Sequence, residues 1–339
     1  SHRRNRFKVK NMTVLVTGAA GFIGYHVSEA LLARGERVIG VDVLNDYYDV
    51  NLKKNRRDRL LAHSDFEFVQ EDIGNRDAMF ALAAANTDIT TIIHLAAQAG
   101  VRYSLENPFA YIESNVIGHL VMLEMCRHME GLEHFVYASS SSVYGGNTKL
   151  PFSVDDPTDT PVSIYAATKK ADELMSHSYS HLFGIPATGL RFFTVYGPWG
   201  RPDMAAYIFL NAIIANKPIP VFNNGDMMRD FTYIDDIVKG ILAVAGGPPS
   251  VDKGAPHRVY NIGNNNSESL MRFIGLIEDA AGIKAEIDFQ PMQPGDVRAT
   301  YADISAIQND FGFEPSTPID QGIPNFVEWF REYHGIGRN

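Results

Sequence analysis

The chain has 339 residues, enough for one large α/β domain or for two domains that share a cleft. Its formal net charge of −10 argues against a nucleic-acid surface, so an anionic substrate would need local positive partners. No apolar run is long enough to span a bilayer, and no signal-peptide pattern precedes the first predicted strand. Because Cys126 is the single cysteine, no internal disulfide can form, and we expect a cytoplasmic protein with Cys126 in its core.

The first two-thirds of the chain alternates β-branched runs with helical segments, which is typical of βαβ units and a parallel sheet. The predicted strands are residues 13–17, 37–41, 66–69, 91–95, 134–139 and 187–191. Helices are predicted to begin near Phe22, Arg76, Pro108 and Ile164. After Thr194, prolines and turn clusters predict a smaller, loop-rich lobe, from which residues 259–262 would return to the main sheet as a strand. The basic opening, residues 1–6, is expected to be a disordered tail.

A glycine-rich turn follows the first predicted strand. Gly18, Gly21 and Gly24 have the spacing G-x-x-G-x-x-G and open a helix, whose N-terminus would attract a closely approaching pyrophosphate. Asp42 ends the second strand, where a carboxylate binds the ribose hydroxyls of NAD and repels the 2′-phosphate of NADP. The pattern therefore predicts NAD binding; the alternative is a strand–helix corner in which the glycines serve only packing.

A tyrosine and a lysine lie on one face of a predicted helix, at Tyr165 and Lys169. A phenol with a pKa of about 10 becomes a useful base when a cation stabilises its phenolate. Lys169 and the positive nicotinamide of NAD⁺ supply that charge, so Tyr165 could remove a hydroxyl proton while hydride leaves the same carbon. A serine run ends the fifth strand and predicts a Ser–Tyr–Lys set with Ser140 as its serine, although Ser141 and Ser142 are alternatives for the catalytic hydroxyl.

The motifs T-G-x-x-G-x-x-G, S-S-S-x-V-Y-G and Y-x-x-x-K, in this order, resemble those of the extended short-chain dehydrogenase/reductase family of nucleotide-sugar epimerases and dehydratases. The resemblance covers residues 13–329 and implies an α/β fold with a Rossmann-type, doubly wound parallel sheet. It also implies an NAD-binding domain over residues 12–193 and a smaller UDP-sugar-binding lobe over residues 194–336, interleaved with the main sheet. The expected NAD contacts are Gly18, Gly21, Phe22, Ile23, Gly24, Asp42, Asn45, Asp72, Ile73, Leu95, Ala96, Ala97, Gln98, Tyr165 and Lys169.

The reactions of this family on nucleotide sugars begin with oxidation at C4. Dehydratases have an acidic pair, and decarboxylases a glutamate, where this chain has Ser141 and Ser142, so the resemblance implies an epimerase. Residues 44–49, 96–104 and 199–205 are similar to segments of UDP-glucuronate 4-epimerases. This similarity implies interconversion of UDP-glucuronate and UDP-galacturonate. Ser142 and Thr194 would hold the C6 carboxylate, and Arg201 would close over the sugar.

At the nucleotide end, Arg229 and Arg298 resemble the family's pyrophosphate and ribose contacts, and Phe222 would stack on uracil. The alternatives are surface arginines and a core aromatic. The expected substrate contacts are Arg102, Ser140, Ser141, Ser142, Tyr165, Thr194, Arg201, Val221, Phe222, Arg229 and Arg298. The resemblance further implies a homodimer, since relatives pair through the helices that fall here near residues 108–129 and 164–183, in a four-helix bundle.

Other conspicuous residues are expected to have structural roles. His94 should pack near the cofactor, and residues 55–59 should form a solvated, mixed-charge helix face. The histidines lack metal-ligand spacing, so no metal is expected. The competing functions are a UDP-glucose/UDP-galactose 4-epimerase, a UDP-glucuronate decarboxylase and a non-enzymatic NAD-sensing protein. The presence of both Tyr165 and Lys169 argues against the last.

Overall fold

A computed structural model describes residues 12–251 and 254–338, so the basic segment at residues 1–6 lies outside the described part. The first part of the chain contains β1 (Thr13–Thr17), α1 (Phe22–Ala33), β2 (Arg37–Asp42), α2 (Val50–Leu61), β3 (Phe66–Gln70), α3 (Arg76–Ala85), β4 (Ile89–His94), α4 (Tyr103–Glu106), α5 (Pro108–Tyr111), a π-helix (Ile112–Ile117), α6 (Gly118–Arg127), β5 (His134–Ser140), a 3₁₀ turn (Ser141–Tyr144), α7 (Ile164–Phe183) and β6 (Ala187–Phe192).

The remainder contains β7 (Thr194–Tyr196), α8 (Ala205–Ile214), β8 (Ile219–Val221), a 3₁₀ turn (Phe222–Gly225), β9 (Met228–Tyr233), α9 (Ile234–Ala245), β10 (His257–Ile262), β11 (Ser267–Ser269), α10 (Leu270–Ala281), β12 (Ile287–Phe289), α11 (Ser305–Phe311) and α12 (Ile319–His334).

Seven of the described strands form a parallel sheet in the order β10-β6-β5-β4-β1-β2-β3. Chain order changes direction between β1 and β4, which makes this the predicted doubly wound, Rossmann-type sheet. Ligands bind beyond the carboxyl ends of the strands at such a switch point. The central strand β1 is buried along its whole length, because helices cover both faces of the sheet. All six predicted strands form, with ends that differ by two residues or fewer.

The C-terminal lobe is more regular than the sequence predicted. Strand β10 returns to the main sheet beside β6, as expected, while β7, β9 and β11 form a small second sheet. Five helices of the lobe, α8 to α12, were not predicted. Frequent prolines and turn clusters pointed to loops there, yet Pro324 lies inside α12, and Phe231 of β9 stacks on Phe273 of α10 with 3.9 Å between ring centres. The lobe therefore has a packed core of its own.

The mixed-charge run at residues 55–59 is not a solvated face throughout. Arg56 is fully buried, and its guanidinium donates to the carbonyl oxygens of Ala20, Trp199 and Gly200 and to the hydroxyl of Tyr48. The prediction of a solvent-exposed side chain is wrong for Arg56, because hydrogen bonds to three backbone carbonyls compensate the burial of its charge. Arg56 thereby ties the glycine-rich turn to the loop after β7.

The predicted core position of Cys126 is confirmed, as its side chain is buried, and the side chain of His94 is buried as well. The imidazole of His94 lies 2.6 Å from the hydroxyl of Thr17, at the end of β1. In residues 12–251 and 254–338, no helix combines the length and the apolar character needed to cross a membrane.

Candidate active site

A cavity of about 530 Å³ lies at the carboxyl edge of the main sheet, between the sheet and the C-terminal lobe. Its walls come from the segments that follow β1 to β6, together with the loops after β7 and around residue 296. Parallel strands that end together bring segments distant in sequence to one place. Every predicted NAD contact lines this cavity.

The glycine-rich turn is shaped for close approach of a ligand to backbone. Gly18 has a φ of +71°, and a Cβ on it would lie 2.9 Å from the amide nitrogen of Ala96. A Cβ on Gly24 would lie 2.0 Å from the carbonyl oxygen of Gly18, so a larger residue cannot be accommodated without moving the turn. Gly21 caps helix α1 without a side-chain acceptor. The first amides of α1 are thus available to a phosphate, which fits a dinucleotide.

Asp42 is held at the end of β2 by two backbone donors. The amides of Ala20 and Leu44 donate to its carboxylate at 3.1 and 2.8 Å. Burial raises the pKa of Asp42, while these amides and the charge of Lys53 act in the opposite direction. Lys53 also donates to the side chain of Asn45 at 2.6 Å, so it orders a second predicted NAD contact. Sequence reasoning missed Lys53, although its spacing of three from Arg56 places both on one face of α2.

Helix α7 positions the tyrosine and the lysine. The hydroxyl of Ser163 caps the N-terminus of the helix by accepting a hydrogen bond from the amide of Ala166 at 3.0 Å. Tyr165 therefore lies in the first turn and Lys169 one turn later. The buried ammonium of Lys169 donates to the carbonyl of Ala138 in β5 at 3.1 Å, and it lies 5.9 Å from the centre of the Tyr165 ring. The structure thus brings the predicted pair together in the cavity.

The serine run lines the same cavity as that pair. Ser140, Ser141 and Ser142 all line the cavity, at the point where β5 passes into a 3₁₀ turn. The hydroxyl of Ser142 donates to that of Ser140 at 2.8 Å, so the two hydroxyls form one hydrogen-bonded unit. Ser139 instead donates to the buried carboxylate of Glu173.

Glu173, which the sequence analysis missed, holds the elements that carry these residues together. Its carboxylate accepts two hydrogen bonds from Arg191 of β6, at 2.9 and 2.7 Å, and both side chains are buried. The network holds α7 against β5 and β6, the elements that carry the tyrosine and the serines. The available signal was spacing, since Glu173 follows Lys169 by four residues and shares its helix face.

The sugar end of the cavity includes Thr194, Arg201 and Arg229. Arg201 forms a bidentate pair with Asp203, at 3.0 and 2.6 Å. Arg229 donates to Asp296 at 2.7 Å, and its pKa is lowered because burial outweighs the effect of that carboxylate. Asp203 and Asp296 were not predicted, because a sequence does not reveal which acidic residue a given arginine will meet.

Four predicted substrate contacts are not part of the cavity lining: Arg102, Val221, Phe222 and Arg298. Val221 is fully buried in β8, and Arg298 is 62% exposed in a pair with Asp226. Arg102 stacks on Phe222, with 4.1 Å from its guanidinium to the ring centre. Arg102 also donates a hydrogen bond to Asp296 at 3.3 Å, so Arg102 and Arg229 share this carboxylate as a partner.

The pattern of the NAD dependent epimerase/dehydratase family matches residues 14–263, a span that includes the glycine-rich turn, the tyrosine–lysine pair and strand β10. The chain belongs to this family. The predictions of a Rossmann-type fold and of an NAD-dependent enzyme of the epimerase type are therefore confirmed.

Several relatives carry more specific names. UDP-glucuronate 4-epimerase 2 of Arabidopsis thaliana is 46% identical, over 98% of this chain and 79% of its own length. The probable UDP-glucuronate 4-epimerase of Rhizobium meliloti is 45% identical, over 94% and 97%. The crystal structure of UDP-glucuronic acid 4-epimerase from Bacillus cereus, in complex with UDP-glucuronic acid and NAD, is similar with a TM-score of 0.87. It shares 35% identity and covers 95% of this chain and 100% of its own.

Proposed function

We propose that this chain interconverts UDP-glucuronate and UDP-galacturonate through a 4-keto intermediate. The observation that carries the proposal is the meeting in one cavity of the tyrosine–lysine pair, the glycine-rich turn and two hydroxyls, Ser142 and Thr194, that suit a carboxylate. The names of relatives that are 45% and 46% identical over nearly the whole chain support it. So does the similar Bacillus cereus structure, which was solved with UDP-glucuronic acid and NAD.

The cofactor fits the part of the cavity lined by Gly18, Gly21, Gly24 and Asp42, where NAD supplies reversible hydride acceptance at C4. Tyr165 takes the proton of the 4-hydroxyl and later returns one to the 4-keto oxygen. Lys169 stabilises the phenolate through its charge. The Ser140 hydroxyl donates to the oxygen on C4 and keeps it in line with Tyr165.

Two neutral donors at the sugar end suit an epimerase that acts on a uronate. The 4-keto uronate is a β-keto acid, which loses carbon dioxide when its carboxylate stands perpendicular to the ring carbonyl. Hydrogen bonds from Ser142 and Thr194 keep the carboxylate near the ring plane and so disfavour that loss. Neither Ser141 nor Ser142 offers a carboxylate to move a proton at C5, so the intermediate recovers its hydride.

In this proposal the main sheet, over residues 12–193, holds NAD and most of the reaction centre. Residues 194–336 hold most of the UDP-sugar, although β10 belongs to the main sheet. Arg229 binds the diphosphate, since a guanidinium matches two phosphate oxygens at once. Asp296 keeps that guanidinium oriented toward the cavity.

We also propose that the chain forms a homodimer through α6 and α7. These helices and the short helix before them expose large apolar side chains, including Phe109 at 76%, Leu182 at 65% and Leu174 at 57%. A row of exposed apolar residues on neighbouring helices suits a four-helix bundle with a second copy. Sedimentation velocity should give a dimer for the wild type and for Leu61→Glu, an exposed leucine on α2. Leu174→Glu combined with Leu182→Glu should give a monomer, and a dimer of that variant would contradict this interface.

The function is tested by incubating the purified protein with UDP-glucuronate and, separately, with UDP-glucose, and resolving products by NMR. We expect UDP-galacturonate from the first substrate. UDP-glucose leaves carboxylate-binding donors unpaired, which costs about 1–3 kcal/mol per group and about a hundredfold in kcat/KM. A UDP-pentose product would indicate a decarboxylase, and equal turnover of both substrates would indicate a UDP-glucose 4-epimerase. No turnover of either would refute the proposed substrate.

A further inference from the structure

Arg201 already has a carboxylate partner within the protein. Its Nε and Nη2 atoms donate to the two oxygens of Asp203 at 3.0 and 2.6 Å, and both side chains are little exposed, at 22% and 23%. Because both carboxylate oxygens of Asp203 accept hydrogen bonds from Arg201, the guanidinium is less available to any other anion in the cavity. Burial alone would lower the pKa of Arg201, but the charge and the hydrogen bonds of Asp203 outweigh burial, and the pKa is raised.

A second contact holds Asp203 from the opposite wall of the cavity. The hydroxyl of Tyr47, in the segment after β2, donates to Oδ2 of Asp203 at 3.1 Å. The ring of Tyr47 packs on Tyr103, with 4.9 Å between centres, and its hydroxyl lies too close to Gly100 for that residue to carry a Cβ. Two segments of the cavity wall, those that carry Arg201 and Tyr47, therefore meet at the carboxylate of Asp203.

The loop that carries Arg201 and Asp203 is also fixed at its beginning. The buried guanidinium of Arg56 donates to the carbonyls of Trp199, at 2.6 Å, and of Gly200, at 3.2 Å. Arg56 and Tyr47 both belong to the segment that follows the ribose-binding Asp42. The NAD-binding side of the cavity thus sets where Arg201 stands.

Epimerisation requires the 4-keto sugar to turn over inside the cavity, so its carboxylate must exchange one set of partners for another. A free guanidinium would hold that carboxylate through two charge-assisted hydrogen bonds and slow the exchange. We propose that Asp203 is a positioning residue that keeps Arg201 from clamping the carboxylate of the substrate, with Tyr47 holding Asp203 in place. The carboxylate is then left to hydroxyl donors, which release it readily. This inference rests on the proposed function, because it requires a uronate.

The test compares Asp203→Asn with the wild type on UDP-glucuronate and UDP-glucose, using holoenzyme with NAD bound. Asparagine keeps the shape of the side chain and removes its charge, so Arg201 becomes free to pair with the substrate. For UDP-glucuronate we expect KM to fall about five- to tenfold and kcat to fall by about tenfold or more, since tighter ground-state binding opposes the turning of the sugar. For UDP-glucose, which has no carboxylate, KM should change less than about twofold.

The matched control is Asp320→Asn, which breaks another arginine–aspartate pair, with Arg272 at 2.5 Å, at the surface and outside the cavity lining. It should leave KM and kcat unchanged for both substrates. Asp203→Glu, which restores the charge, should return KM toward the wild-type value. Tyr47→Phe should shift KM and kcat in the same directions as Asp203→Asn, by a smaller factor, and it decides the question if Asp203→Asn does not fold.

A rise in KM for UDP-glucuronate in Asp203→Asn, or equal changes for the two substrates, would overturn the inference while leaving the proposed function intact. Failure of the wild type to turn over UDP-glucuronate would instead refute the proposed function.

Discussion

The two ends of the cavity are built in different ways. The NAD end consists of backbone and short side chains fixed by the sheet, as at Gly18, Gly24 and Asp42, and all of its predicted contacts line the cavity. The sugar and nucleotide end depends on long side chains outside the main sheet, where Arg298 is exposed and paired with Asp226. There Arg201 and Arg229 pair with carboxylates that the sequence did not predict. Where the backbone forms the site, the position of a residue in the sequence determines where it lies. Where a guanidinium forms the site, its place depends on a carboxylate partner that the sequence does not reveal.

The reaction centre, where the two ends meet, gives the largest expected effect. Tyr165→Phe removes the proton acceptor and should lower kcat about 10²–10⁴-fold, while the Kd for UDP changes little because Tyr165 serves the transition state. Stopped-flow and steady-state assays with UDP-glucuronate would measure the loss. Tyr179→Phe is the control, since its hydroxyl lies on the same helix but donates to Glu124. A loss of less than tenfold in Tyr165→Phe would contradict the assigned role.

The NAD end can be tested through its glycines. Gly24→Ala places a Cβ 2.0 Å from the carbonyl oxygen of Gly18, and this overpacking should cost about 1–3 kcal/mol or more and weaken NAD binding. Gly275→Ala is the matched control, because its Cβ would meet nothing within 4 Å in the middle of α10. That change should stabilise the protein by about 0.5–1 kcal/mol. Thermal unfolding would measure the change in stability, and mass spectrometry would measure the retained dinucleotide. Full retention of NAD by Gly24→Ala would contradict the claim that backbone packing forms the NAD end.

The fold was predictable where periodicity and neighbouring turns agreed. Strand β1, the Gly18–Gly24 turn and the start of α7 at Ile164 all follow from short local patterns, and the structure has them at the predicted residues. The helices α8 to α12 were missed because prolines and turn residues dominate the segments between them. Arg56 was predicted to be exposed because no local sequence pattern indicates hydrogen bonds to carbonyls that are distant along the chain.

The smallest expected effect separates two arginines at the nucleotide end. Arg229 lines the cavity, so Arg229→Ala should weaken UDP binding about ten- to hundredfold, as expected for lost hydrogen bonds to a charged group. Arg298 is paired with Asp226 at the surface, so Arg298→Ala should change the Kd for UDP by about threefold or less. Isothermal titration calorimetry with UDP distinguishes the two. Comparable losses would return Arg298 to the set of substrate contacts and remove the contrast drawn between the two ends.

The central claim is that NAD, held at one end, and Tyr165, at the meeting point, act on C4 of a sugar held at the other. The direct measurement uses UDP-glucuronate deuterated at C4, converted in ordinary water, with the product analysed by NMR and mass spectrometry. Since hydride leaves C4 and returns to C4 without reaching solvent, we predict UDP-galacturonate that retains the deuterium at C4. Protium at C4 of the product would mean that the hydrogen exchanged with water, and it would contradict transient oxidation at that carbon.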